Sequence, residues 1–313
     1  MLCARTPTTI HRGASSDEQA WAIGLSCGGT IEVFIEPIET TDGEPIDAAD
    51  NASYATLRRL VLEEESAWVA TRLPPSSRAA TDQRTAASSP GPVSRLVLFD
   101  DGTVSGDLGD GLANQMAVDA IRQADGTGVV PAAATELETT AELFIERFAP
   151  QPTLIIVGAV HVAIHLIHLA RRAGFRCVVL DARAAFATGE RFPHADELHV
   201  GWPSKLLEQR RLHDQSYCVF LSHDAKLDDP ALAVVLSSPA RYVGALGSKR
   251  THAKRIDSLQ DLGVTQSDIE RIRAPIGLDL GGRRPEEIAV SIVAQLVAAR
   301  YDRLDADGNL QAR

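Results

Sequence analysis

The chain has 313 residues and a formal net charge of −11, from 31 Lys and Arg against 42 Asp and Glu. That length favours two domains over one. The negative balance argues against nucleic-acid binding, so any anion site has to come from a local basic cluster. The four cysteines, Cys3, Cys27, Cys177 and Cys218, form no Cys-x-x-Cys pair, which argues against a disulfide framework or zinc ribbon and for reduced thiols in a cytosol.

Residues 1–17 are polar and expected to be poorly ordered. No signal-like apolar segment opens the chain, and no apolar run anywhere approaches transmembrane length. Trp21 to Leu25 and Thr30 to Ile35 flank Ser26-Cys27-Gly28-Gly29, which reads as a tight hairpin or a ligand-approach turn. Tyr54 to Glu65 has a helical pattern and Ala67 to Leu73 a strand pattern. Residues 74–92 are rich in Pro, Ser, Thr and Ala with no apolar period, and are expected to form a mobile loop. Leu96 to Phe99, Asp100-Asp101-Gly102 and Thr103-Val104 make a hairpin signal. A helix over Leu112 to Arg122 and a strand over Ala141 to Arg147 complete the first region. Ala149-Pro150-Gln151-Pro152 is the expected boundary, because two prolines interrupt pairing just before a new strand.

The second region alternates strand and helix. Strands are predicted near Leu154–Val157, Arg176–Leu180, Glu197–Val200, Tyr217–Leu221 and Tyr242–Leu246, with helical patterns between them. That alternation predicts a parallel sheet with helices on both faces. A last helix begins at Pro285, with Glu286 and Glu287 at its positive end. The apolar run ending at Gly158, the helix after it and the second run ending at Asp181 form the opening unit of a dinucleotide-type α/β fold, with predicted order 3-2-1-4-5.

Ligands in such sheets sit at the carboxyl ends of the strands. The fingerprint there is incomplete: Gly158 and Ala163 are in place, but Val160 stands where a second glycine lets a pyrophosphate approach. Asp181 is placed to hold a ribose hydroxyl, the one feature favouring an NAD(P) oxidoreductase. His161, His165 and His168 share one helical face. They read either as metal ligands or as rim residues of a helix packed on the sheet, with His161 facing the ligand edge. Ser222-His223-Asp224 and Gly247-Ser248-Lys249-Arg250 end the fourth and fifth strands. Ser248 is a good helix cap, and Lys249 and Arg250 in a first turn, with Lys254 and Arg255 behind, suit either a bound phosphate or a solvated basic helix end. Gly277 and Asp279 lie in a glycine-rich turn before the last helix, where Asp279 can bond a polar ligand or cap the turn. Cys27, beside Gly28 and Gly29, is either an exposed reactive thiol or a small buried hydrophobe.

In order and spacing, several stretches together resemble the XdhC/CoxI family of maturation factors for molybdenum hydroxylases. They are Ala20 to Val33, Gly158 to Ala163, Arg191-Phe192-Pro193 with Ala195-Asp196, Ser222 to Asp224, Tyr242 to Arg250 and Ala274 to Gly281. The resemblance implies residues 1–149 as a smaller N-terminal α/β domain, 150–301 as a Rossmann-type domain and 302–313 as a polar tail. It further implies a cytoplasmic, homodimeric chaperone rather than an enzyme with its own turnover. Such a protein would bind molybdenum cofactor, assist its sulfuration with a cysteine desulfurase and deliver it to a hydroxylase apoenzyme. The cofactor-binding residues it suggests are Cys27, Gly28, Gly29, Gly158, His161, Asp181, His223, Asp224, Gly247, Ser248, Lys249, Arg250, Gly277 and Asp279. Three departures from the family pattern stand out. No Gly-Ser-x-Pro-Arg or Gly-Gly-Cys-x-Glu stretch precedes Ala20, so the opening segment is expected to be missing; Val160 replaces a glycine; and Gln295 replaces a glutamate. A non-catalytic interaction module is the remaining alternative.

Overall fold

The computed structural model describes residues 9–14, 30–35, 52–73, 93–109, 111–124, 128–132, 141–305 and 307–311. The chain divides into two compact units, Met1–Pro150 and Gln151–Arg313. Cys27, Gly28 and Gly29, the Trp21 to Leu25 run and the 74–92 segment lie outside the described residues.

In the first unit, β1 (Thr9–Ala14) pairs antiparallel with β2 (Thr30–Ile35). Residues 1–17 were expected to be poorly ordered because they are polar; within them, Thr9–Ala14 is organised by backbone pairing to β2. A five-stranded antiparallel sheet is built from β3 (Ala67–Leu73), β4 (Arg95–Phe99), β5 (Val104–Asp107), β6 (Gly128–Ala132) and β7 (Ala141–Phe148), in the order β5-β4-β3-β7-β6. Central β3 is buried on both faces. Ala70 packs with Leu96, Leu98 and Ile145 under α2 (Gly111–Gln123), while Ala67 and Val69 pack with Val97 and with Leu60 of α1 (Ala52–Leu62). β6 gave no sequence signal because it carries Pro131, which a sheet tolerates at an edge, and β6 is an edge strand.

The second unit holds a six-stranded, all-parallel sheet. Its strands are β8 (Thr153–Val157), β9 (Arg176–Asp181), β10 (Glu197–Val200), β11 (Ser216–Phe220), β12 (Tyr242–Ala245) and the two-residue β13 (Ile272–Arg273). The order β10-β9-β8-β11-β12 is the expected 3-2-1-4-5, with β13 added beyond β12. Period-two alternation sorts the side chains into two cores. Leu154, Ile156, Cys177, Val179, Tyr217 and Val219 face α3 (His161–Arg172) and α8 (Pro285–Arg300). Ile155, Val157, Val178, Leu180, Cys218 and Phe220 pack against α5 (Ala225–Leu236) and α6 (Lys249–Asp261), with Leu207 of α4 (Pro203–Glu208) and Ile269 of α7 (Gln266–Ile269) in the same core. Both faces are buried, so the strands read as continuous apolar runs. Burial pushes the Cys177 and Cys218 thiols up to about 12, so neither is a thiolate at neutral pH.

Gln295 of α8 ties the end of the chain to the sheet. Its carbonyl accepts from the Tyr242 hydroxyl and from Gly277 N, and its amide donates to Gly308 O at 2.8 Å. A glutamate could not make that donation when ionised, which accounts physically for glutamine here. The expected tail thus folds back on the unit, with Leu304 bridged to Leu310.

Candidate functional site

Strands β8, β11 and β12 are neighbours in a parallel sheet, so the turns that follow them emerge along one edge. The first is the glycine turn. Gly158 has φ +111°, and a Cβ there would stand 2.6 Å from Ser222 N. Glycine is therefore required by the approach of the turn after β11, before any ligand is considered. Gly158 N donates to Leu180 O at 2.9 Å.

Asp181 fastens the same turn from β9. Its buried carboxylate accepts from Ala159 N at 2.7 Å and from Arg183 N, Nε and Nη2 at 2.9, 2.9 and 2.7 Å. Burial works to raise its pKa, but the bonds from Arg183 and Ala159 outweigh that and hold it below the usual carboxylate value. The expected ribose ligand is thus turned inward, with its acceptors committed to Arg183 and the glycine turn. Sequence reasoning missed Arg183 and Phe186, and quoted Arg191 only within a family-like stretch, with no role at the site. The Arg183 guanidinium lies 4.4 Å from the centre of the exposed Phe186 ring, and Arg191 lies 5.7 Å from it. Arg191 Nη1 also donates to Ala159 O at 3.1 Å, so this basic, aromatic loop is bound to the glycine turn. The pair of arginines shortly after Asp181 was the available signal.

The second turn carries Ser222, His223 and Asp224. His223 is exposed at φ +60°, a conformation uncommon for a residue with a Cβ. Asp224 caps α5, accepting from Lys226 N at 3.0 Å. Ser222 Oγ donates to Asp228 Oδ1 at 2.6 Å and accepts from Asp224 N. Burial pushes Asp228 up to about 6, against the opposing pull of Ser222 and Arg255. Arg255 approaches Asp228 at 3.8 Å and Asp229 at 3.6 Å, all three buried. Arg255 was grouped with the surface basic cluster in the sequence; it is instead an internal charge between α5 and α6, because its neighbours there are carboxylates.

The third turn is Gly247 to Arg250. Gly247 has φ +143°. Ser248 caps α6, its Oγ accepting from Thr251 N at 3.2 Å. Lys249, Arg250 and Lys254 are exposed beside it. Three further positions stand apart from this picture. Gly277 belongs to packing: a Cβ there would stand 2.4 Å from Ser291 Oγ of α8. Exposed Asp279 accepts from Gly281 N at 3.2 Å, which is the turn-capping alternative. The three histidines of α3 do not converge as a triad: His161 Nε2 and His165 Nε2 are 3.4 Å apart, whereas the His168 ring lies 4.4 Å from that of His194. Among the described residues no group of three His, Cys, Asp or Glu is placed to hold a metal.

Residues 154–296 match the protein family described as the XdhC Rossmann domain. The Gln151–Arg313 unit is thus similar to the XdhC Rossmann domain, over somewhat less than half of the chain. The XdhC match covers β8 through most of α8, and so all three turns. The chain is 32% identical over 163 residues to a protein of Bacillus subtilis (strain 168) named as a probable xanthine dehydrogenase component, covering 52% of this chain and 47% of that protein. It is 34% identical over 82 residues to the molybdenum cofactor insertion chaperone PaoD of Escherichia coli (strain K12), or 26% of each. It thus spans about half or less of the length of these curated relatives. A crystal structure of a xanthine dehydrogenase from Bacillus halodurans is similar with a TM-score of 0.56 and 26% identity, covering 96% of this chain and 76% of that one.

Proposed function

We propose that this chain is an accessory factor that binds molybdenum cofactor at the edge formed by the three turns and passes it to a molybdenum hydroxylase of the xanthine or carbon monoxide dehydrogenase type. The observation that carries the reading is the capped start of α6. Exposed Lys249 and Arg250 occupy a first turn where the helix dipole disfavours cations, an arrangement that a bound phosphate group makes favourable. The similarity to PaoD, named as a molybdenum cofactor insertion chaperone, supports the choice of ligand. The cofactor would supply the molybdenum centre used by the hydroxylase. This chain's residues bind and orient it: Lys249 and Arg250 attract the phosphate, Ser248 fixes the helix start, and His161 and His223 border the site. Asp224, which caps α5, holds the His223 turn in place. Cys27, with Gly28 and Gly29, is proposed as the thiol that meets sulfur during sulfuration with a cysteine desulfurase. A cytoplasmic location and a homodimer belong to the same reading. No described helix is long and apolar enough to cross a membrane.

Titrating the purified chain with molybdenum cofactor and with its guanine and cytosine dinucleotide forms tests this. Saturable binding of at least one form is expected. The Lys249→Ala, Arg250→Ala double variant should weaken it by about a hundredfold or more, each charge-assisted contact contributing ~1.5–3 kcal/mol. The thermal midpoint without ligand should not fall, since cations are unfavourable at that helix start. Absence of binding by all three forms with folded protein would reject the carrier role.

A further inference from the structure

We infer that His161 and His165 form a two-point clamp for a divalent zinc- or nickel-class ion at the start of α3. Both residues lie on one face, one turn apart, with their Nε2 atoms 3.4 Å apart. Two nitrogens bound to one metal at ~2.0–2.1 Å and a tetrahedral angle would be about 3.3–3.4 Å apart. The two rings share one hydrogen bond at this separation, at the long end of the range and so weak enough to give way to a shared metal. The rings stand edge to face at 77°, so the pair is not stacked, and a metal would take the place of the proton the two nitrogens share. Imidazole suits zinc, copper and nickel ions. His161 is exposed and His165 half-buried, so the remaining coordination positions are open to water or to an added ligand. His168 is not part of the clamp, because its ring is set against His194. The positive end of α3 opposes a cation, by up to about fivefold in affinity. Two convergent nitrogens on one rigid turn offset that, because the second bond forms without a further loss of translational freedom.

The clamp does not depend on the proposed function, and its test contains no molybdenum cofactor. The full chain is titrated separately with Ni²⁺ and Zn²⁺ by calorimetry, and the same titration is run on His161→Ala, His165→Ala, the double variant and His168→Ala. Thermal midpoints without metal check that each variant is folded. The clamp requires saturable binding of one equivalent, weakened about tenfold or more in either single variant and abolished in the double variant. His168→Ala should bind as the parent does. No saturable binding up to about 1 mM, binding that survives in the double variant, or an equal loss in His168→Ala would each overturn it.

Discussion

Gly158 shows how much one side-chain position decides at the residue scale. Gly158→Ala has to accommodate both a positive φ and a Cβ 2.6 Å from the backbone of Ser222, an atom fixed by the sheet. Strain and overpacking together should cost about 2–4 kcal/mol. Urea denaturation of the variant should therefore show a lower midpoint with an unchanged slope. The neighbouring Val160 departure is of a different kind. Val160 has φ −92° and ψ 173°, an extended geometry open to any residue, so valine there is not strained. Asp181 marks the limit of reading residues one by one. Its position at a strand end was legible, but the arginine that claims its carboxylate lies two residues further on, and nothing in the spacing distinguishes an inward from an outward turn. Asp228 and Asp229 went unread, and Arg255 was assigned to the surface, for a similar reason: charged residues in a helical pattern look solvated until the facing helix is known.

At the scale of elements, the short edge strand β10 depends on charge as well as apolar burial. Glu197 accepts from Arg176 at 2.8 Å and from His199 at 2.7 Å, and it is paired with Arg210. The Arg210 bond is the largest influence. With His199 and Arg176 it outweighs burial and holds the Glu197 carboxyl at about 2, below its ordinary 4.5. A depressed folded-state pKa stabilises above the unfolded value and is lost as pH falls through the folded one. Glu197→Gln should therefore be less stable than the parent at pH 7, by on the order of 2 kcal/mol. The gap should shrink as pH falls below 4.5 toward 2. Urea midpoints of both proteins at about pH 7 and about pH 3.5 check this; a gap independent of pH would assign the loss to packing. The longer elements were readable because their apolar runs are buried on both faces, as in Leu154 to Val157. The two-residue β13 and the proline-bearing β6 were not: β13 is too short to express a period, and Pro131 interrupts the strand pattern of β6. Thr9–Ala14 was not readable either, being defined by its pairing to β2.

For the whole molecule, the division at Pro150 separates two sets of cores rather than dividing one. Every buried apolar cluster of the Gln151–Arg313 unit is drawn from its own residues, on both faces of its sheet. The closing segment adds to it through Gln295 and Gly308. Leu154, Ile156, Leu166 and Ile167 are fully or almost fully buried, each contributing about 1.5–3 kcal/mol relative to exposure. At 163 residues the unit is long enough to bury a sufficient core alone. Residues 151–313 expressed alone should therefore unfold in one cooperative transition, with far-ultraviolet circular dichroism of a mixed α/β protein. All the described turn residues of the proposed site lie in this unit, so it should also retain the Lys249- and Arg250-dependent binding of cofactor. Steps that need Cys27 should be lost. A unit that folds but binds nothing, beside a full chain that binds, would place part of the cofactor site before Gln151.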